Sequence, residues 1–421
     1  MSEKRCGFCG KSEKEVEVLI SGPGTYICDK CIQVCNNIME EHKKKGGFAK
    51  PDTMPGPDKG VQPVNSMKLL KPDEIKSALD RYVVGQESAK KTLSVAVYNH
   101  YKRVLHNERN GGQDDVDIQK SNVIMVGPTG SGKTYIAKTL AKIIGVPFAI
   151  ADATSLTEAG YVGDDVETIL AKLFYASGSD VAATEKGIIY IDEIDKIAKK
   201  KEVRSSPGVG DESVQNALLK IMEGTEVSVP LAGRSRHPGG AEVKINTKNI
   251  LFICGGAFSG IEEIFTKNSS RPLGFGAALR SGAEGDDWSY SSVDEKALIK
   301  YGLVPEFIGR LPIIVTLEKL DEKTLVKIIS EPKDSLYKQY QTLLSYDNVG
   351  LRITDNAMHE IAKRAIKKGT GARGLRSIME KIMEDAMYIV PSDDSISECI
   401  VTVDCVRDEK KPRFLRKKSS V

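Results

Sequence analysis

The chain has 421 residues, enough for two or three domains that each bury a core. Its 61 lysines and arginines nearly balance 58 aspartates and glutamates, and the net charge of +3 creates no overall field toward nucleic acid or an acidic membrane surface. No run of eighteen apolar residues is present and the first residues lack a signal-peptide pattern, so a cytoplasmic, membrane-free protein is expected. In that reducing setting the eight cysteines are read as ligands or buried thiols rather than disulfides.

Five of those cysteines fall within residues 1–35. Cys6-Gly7-Phe8-Cys9 and Cys28-Asp29-Lys30-Cys31 are two CxxC knuckles, and the span between them suits a hairpin around Gly22-Pro23-Gly24. Four thiolates close a tetrahedron around zinc and leave no open position for a substrate, so a structural Zn2+ site is expected. A module this small has almost no apolar core, and metal binding at roughly 10–16 kcal/mol would itself drive its folding. Cys35 reads as a packed thiol, with the alternative that it competes as the fourth ligand. The module is assigned residues 1–48. A linker follows at 49–66, where Pro51, Pro55, Pro57 and Pro63 stand among few apolar residues.

From Leu69 to about Leu317, strand-like and helix-like segments alternate, the pattern of an α/β domain with a parallel sheet, bounded at 67–317. The apolar run Val123–Val126 leads into Gly127-Pro128-Thr129-Gly130-Ser131-Gly132-Lys133-Thr134 and then a helical pattern from Ile136. Strand, glycine-rich turn and helix form the context a phosphate loop requires. Its glycines let backbone N–H groups curl around a phosphate. Lys133 would reach the β- and γ-phosphates, Thr134 would ligate Mg2+, and the helix N-terminus favours the anion. The expected ligand is a nucleoside triphosphate. About sixty residues on, Gly187–Ile191 runs into Asp192-Glu193. Asp192 would hold magnesium through water and Glu193 would orient and polarise the attacking water. Asp195 is read as a salt-bridge partner at the start of the next helix.

Two arginines stand where a cation could complete such a site: Arg310, ahead of a Pro312-containing strand, and Arg373, in Gly369-Thr370-Gly371-Ala372-Arg373. From residue chemistry alone each is equally an ordinary surface arginine. Beyond residue 317, Leu325–Leu344, Asn356–Ile366 and Leu375–Val390 read as helices and Ile400–Val403 as a short strand, a smaller and mainly helical domain over 318–409. The basic stretch 410–421 reads as a disordered tail.

The chain resembles the ClpX family of AAA+ unfoldases over nearly its whole length, in the order zinc knuckle, linker, large ATPase domain, small helical domain. Tyr82-Val83-Val84-Gly85-Gln86 resembles the family's adenine-pocket segment, which implies ATP contacts at Val83 and Val84. Gly160-Tyr161-Val162-Gly163 resembles the pore loop that grips polypeptide, and Leu273-Gly274-Phe275 the tripeptide that docks on the peptidase. Arg310 resembles the arginine finger and Arg373 the second sensor. The resemblance implies a homohexameric ring, a ClpP-type peptidase partner, tagged or unfolded protein substrates, adaptors, and zinc modules that dimerise and recognise them. Departures occur in the pore-facing loop, where Arg236 and His237 follow Arg234-Ser235 with a serine at an expected basic position, and at Pro207-Gly208 in the second pore loop. The strand ending in Cys254-Gly255-Gly256 offers no obvious first-sensor side chain.

By itself Tyr161 would read as a core tyrosine on a turn, and Leu273–Phe275 divides evenly between docking and self-burial. The expected function is an ATP-driven unfoldase and translocase with no peptidase of its own, since none of the five histidines sits in a nucleophile or zincin motif. A nucleic-acid motor is the alternative from another class, opposed by the near-neutral charge and the lack of an aromatic-interleaved basic stripe. A peptidase-independent remodeller is the third reading.

Overall fold

A computed structural model describes residues 5–7, 9–12, 16–22, 25–34, 69–110, 116, 118–157, 164–199, 211–230, 242–269, 289–408 and 410–417. The chain divides into two units, residues 1–59 and 60–421. In the first, β1 (Leu19–Gly22) and β2 (Thr25–Cys28) pair antiparallel with Leu19 opposite Cys28, which brings the second CxxC knuckle to the end of a hairpin.

The second unit is built on a five-stranded, wholly parallel sheet: β3 (Val123–Val126), β4 (Phe148–Asp152), β5 (Ile188–Asp192), β6 (Leu251–Gly256) and β7 (Ile313–Thr316), in the spatial order β7-β3-β6-β5-β4. Central strands of such a sheet are covered on both faces, so they read as continuous apolar runs, and β3 and β6 are buried at every residue. Alternation still divides them. Val123, Met125, Ile188, Tyr190, Leu251 and Ile253 pack under α1 (Pro72–Asp80), α2 (Glu87–Asn110) and α3 (Lys133–Ile144). Ile124, Val126, Ile189, Ile191, Phe252 and Cys254 face the opposite core with α4 (Val166–Ala176) and α5 (Asp211–Met222).

Leu317 closes this pair of cores, and from Leu325 onward the buried apolar residues form a third. It is made by α6 (Glu322–Ser330), α7 (Leu336–Ser345), α8 (Asp355–Lys367) and α9 (Gly371–Ile389), with a three-stranded sheet of β8 (Gly350–Ile353), β9 (Ile396–Val401) and β10 (Arg413–Arg416). Two expectations are corrected here. The single helix expected over Leu325–Leu344 is two helices, because Pro332 has no N–H to continue the first, and the Ser335 hydroxyl accepts from Lys338 N to cap the second. The tail expected to be disordered contains β10, which pairs antiparallel with β9; Phe414 packs on the third core and gives the basic segment an apolar anchor. Among the described residues no helix is long and apolar enough to cross a membrane.

Candidate active site

All the strand ends that matter to the site lie on one edge of the sheet. β3 runs into the phosphate loop, β5 ends at Asp192, and β6 ends at Gly256; this carboxyl edge is where open α/β sheets bind ligands. Between it and the third core lies a cavity of about 550 Å3. Thr129–Thr134, Asp192 and Glu193 line its polar side, and Arg373 and Arg376 enter from α9. Val83, Val84, Leu320, Ile328 and Leu336 make an apolar end suited to a flat base. Five sequence-predicted groups, namely the phosphate loop, Val83-Val84, Asp192, Glu193 and Arg373, thus meet in one place.

Helix α3 begins at Lys133 directly after Gly132, which takes a left-handed φ of 100°. Lys133 is buried, and its Nζ donates to the carbonyls of Gly127 at 2.6 Å and Pro128 at 3.1 Å. Burial lowers its pKa, while the Asp192 and Asp195 charges oppose that shift and Arg373 adds to it. Ser131 Oγ is buried without a hydrogen-bond partner, a donor turned into the loop. Left-handed glycines, a buried lysine, an orphaned hydroxyl and a helix N-terminus fit a triphosphate.

Asp192 receives three hydrogen bonds: from Thr134 Oγ1 to Oδ2 at 3.0 Å, from Glu193 N to Oδ1 at 3.0 Å, and from Tyr190 Oη to Oδ1 at 3.2 Å. Hydroxyl and carboxylate side by side are the hard oxygen donors magnesium takes, directly or through water. Glu193 holds φ 56° and ψ 33°, a left-handed conformation rare outside glycine and concentrated at functional sites.

Sequence reading missed several contacts that frame the site. Asp195 is buried and accepts from Ala257 N at 3.0 Å, tying the turn after β5 to the end of β6; the salt-bridge role expected for it gives way to this backbone contact. Gln86 clamps both backbone groups of Glu318, donating to its O at 2.9 Å and accepting from its N at 3.0 Å. Lys90, buried between Asp80 and Glu87, also donates to Val83 O at 3.3 Å behind the apolar end. The N-terminus of α9 meets the phosphate loop backbone to backbone, with Ala372 N donating to Gly130 O at 3.2 Å. A Cβ on Gly130 would lie 2.4 Å from Thr370 O, so only glycine permits that approach. The contacts of Asp195, Gln86 and Gly130 join segments far apart in sequence and leave no local signal.

Arg310 does not line the cavity. Its Nη2 pairs with Glu223 Oε1 at 2.9 Å, both side chains about half exposed, and Asn122 Nδ2 donates to its carbonyl at 3.0 Å. Several expected residues lie outside the described ones: Cys35, the linker 49–66, Tyr161 and Val162, Pro207, Arg236 and His237, and Leu273, Gly274 and Phe275.

In the first unit the four sulfurs of Cys6, Cys9, Cys28 and Cys31 lie within 4.8 Å of one another, with Cys6 to Cys31 at 3.9 Å and Cys9 to Cys28 at 3.6 Å. A tetrahedron of Zn–S bonds requires sulfurs about 3.8 Å apart. The Cys28 N–H points at Cys6 Sγ at 3.3 Å, the outer hydrogen bond that orients a thiolate ligand. Hydrogen bonding to Cys28, then burial and the other two thiols, raises Cys31 to about 12; a zinc ion bound there would draw off its proton, because the metal takes the thiolate.

Three family models match the chain. A ClpX C4-type zinc finger matches residues 4–41, an AAA domain of the Cdc48 subfamily matches 118–314, and the C-terminal, D2-small domain of ClpB protein matches 320–404. The chain is a ClpX-like AAA+ protein. ATP, Mg2+ and Zn2+ are the cofactors of this architecture, and ATP-dependent protein unfolding is its general role. The AAA and small-domain matches leave residues 315–319 between them, the segment that contains Leu317 and the Glu318 held by Gln86.

Proposed function

We propose that the chain forms a homohexameric ring that unfolds tagged proteins, threads them through its pore and passes them to a ClpP-type peptidase in the cytoplasm, with no peptidase chemistry of its own. The observation that carries the reading is the cavity in which the phosphate loop, the acidic strand end and Arg373 converge, with the Ala372–Gly130 contact joining the small domain to the loop. Bound there, ATP with magnesium supplies the phosphoanhydride whose cleavage drives the cycle. Lys133, Ser131 and the N-terminus of α3 hold the phosphates, and Thr134 and Asp192 hold the metal side. Glu193 takes the proton of the attacking water, and Val83 and Val84 contact the base. Arg373 reads the γ-phosphate within the subunit, so its helix and the whole small domain turn against the large one about residues 315–319. Arg310, outside its own cavity, serves the site of the next subunit in the ring, which makes turnover depend on assembly.

The domain limits 1–48, 49–66, 67–317 and 318–409 belong to this proposal, as do the roles of Tyr161, Val162, Arg236 and His237 in the pore and of Leu273-Gly274-Phe275 in docking. The zinc modules, held by Cys6, Cys9, Cys28 and Cys31, pair and receive substrates and adaptors.

A stably folded fluorescent protein carrying a degradation tag tests the reading with purified chain, ATP-Mg2+ and a trap for unfolded polypeptide. Fluorescence loss that requires ATP and is abolished in Tyr161→Ala is the expected result. ATP consumption without unfolding, together with stimulation by DNA, would move the chain to the nucleic-acid motors.

A further inference from the structure

Asp192 is held by one contact that a phosphate loop and acidic strand do not require. Tyr190 stands two residues upstream on β5, so its side chain leaves the strand on the same face as that of Asp192. Its ring is fully buried in the core beneath α1, α2 and α3, where phenylalanine would pack equally well. The hydroxyl is the part that needs explaining. It donates to Asp192 Oδ1 at 3.2 Å, beside the Thr134 hydroxyl that donates to Oδ2. The neighbouring strand makes room for it: a Cβ on Gly255 would lie 2.0 Å from Tyr190 Oη. Gly255 has no positive φ to account for it, so the space it leaves on β6 is what glycine contributes. An oxygen in an apolar core and a missing side chain opposite it serve a common end.

We infer that Tyr190 is a positioning residue for magnesium: its hydroxyl, admitted by Gly255, locks the Asp192 carboxylate in the orientation in which it meets the metal beside Thr134. The inference rests on the reading of Asp192 as the metal-side carboxylate. Held from both oxygens and from the Glu193 N–H, the carboxylate has little rotamer freedom left to lose when the metal arrives.

Magnesium titration of the binding of a fluorescent ATP analogue to the full chain, with ATP turnover and thermal midpoint measured alongside, tests this in Tyr190→Phe, Gly255→Ala and Asp192→Asn. Tyr190→Phe should raise the magnesium concentration for half-maximal binding by about 10-fold, the low end of what losing a ligand-orienting hydrogen bond does to metal affinity, while binding in EDTA stays unchanged. Gly255→Ala, which keeps the hydroxyl but displaces it, should shift the same titration in the same direction. A lowered thermal midpoint with a wild-type magnesium titration in Tyr190→Phe would make the hydroxyl merely structural and overturn the inference. An unshifted titration in Asp192→Asn as well would remove the reading of Asp192 on which it stands.

Discussion

The two ends of strand β5 are each tied down by a buried tyrosine, and the pair shows how one chemical group serves two purposes. Ahead of the strand, Tyr101 from α2 donates to the carbonyl of Lys186 at 3.0 Å; at its far end Tyr190 donates to the carboxylate of Asp192 at 3.2 Å. Both rings lie fully buried in the same core, and burial raises both phenol pKa values. The acceptors differ. A backbone carbonyl is permanent and neutral, so the Tyr101 bond only fastens a strand to a helix. A carboxylate carries charge and can meet a cation, so the Tyr190 bond acts on whatever Asp192 holds. The surroundings follow the same division. Around Asp192 the backbone is strained, with Glu193 and Phe258 at positive φ. At the opposite edge, Asn122 stitches β6 to Arg310 through Phe252 N at 3.3 Å and Arg310 O at 3.0 Å, and His100 donates from Nε2 to Asn249 O at 3.0 Å. One edge is built to be changed by a ligand and the other to hold still.

The largest effect that would sharpen this contrast is at Glu193. Glu193→Gln should bind ATP and assemble normally yet lose about 10²–10⁴-fold in turnover, the usual contribution of a general base, with an unchanged denaturant midpoint. Normal turnover would take Glu193 out of the chemistry. At the quiet edge the signs reverse. Asn122→Ala leaves the buried N–H of Phe252 and the part-buried carbonyl of Arg310 without this partner and should cost about 1–3 kcal/mol in urea unfolding while the affinity of the isolated subunit for nucleotide stays put. A large loss of nucleotide affinity there would break the division between the edges. Tyr101→Phe removes one neutral hydrogen bond, about 1 kcal/mol, and should leave the magnesium dependence of nucleotide binding alone, unlike Tyr190→Phe.

The smallest effect concerns His100. Burial first, then the Arg103 and Lys120 charges, lower its pKa to about 3, whereas an unfolded histidine titrates near about 6.5. The folded state therefore binds fewer protons across that window. Stability from the neutral ring is complete above pH about 6.5 and falls as the pH drops toward 3. Comparing urea midpoints at neutral and mildly acidic pH should show a shallower decline in His100→Gln; identical slopes would mean other groups carry the acid response.

Much of the site was legible from local pattern. The phosphate loop, the acidic strand end and the paired CxxC knuckles each place several ligands within a few residues, so spacing alone carries the chemistry. Recognition of the segments at Val83-Val84 and Arg373 came by resemblance, and both line the cavity. The framework around them was not legible. Tyr190 reads as one more apolar strand residue until Asp192 and Gly255 are seen beside its hydroxyl. Gln86 looks like a loop residue until it meets Glu318, 232 positions away. The strand Arg413–Arg416 was hidden by its charge, because a single Phe414 supplies the anchor and β9 supplies the hydrogen bonds.

By itself the sequence determined what depends on neighbours along the chain: which residues can wrap a phosphate, which four sulfurs can close on zinc, and which runs are apolar enough to form the inner strands. Only the tertiary structure decided which of two buried tyrosines touches a carboxylate, which aspartate links two strands, and how the small domain reaches Gly130. The aspartate link and the contact at Gly130 join segments tens to hundreds of residues apart. Their energies come from desolvated donors finding acceptors across the sheet, and a linear pattern holds no record of what lies opposite.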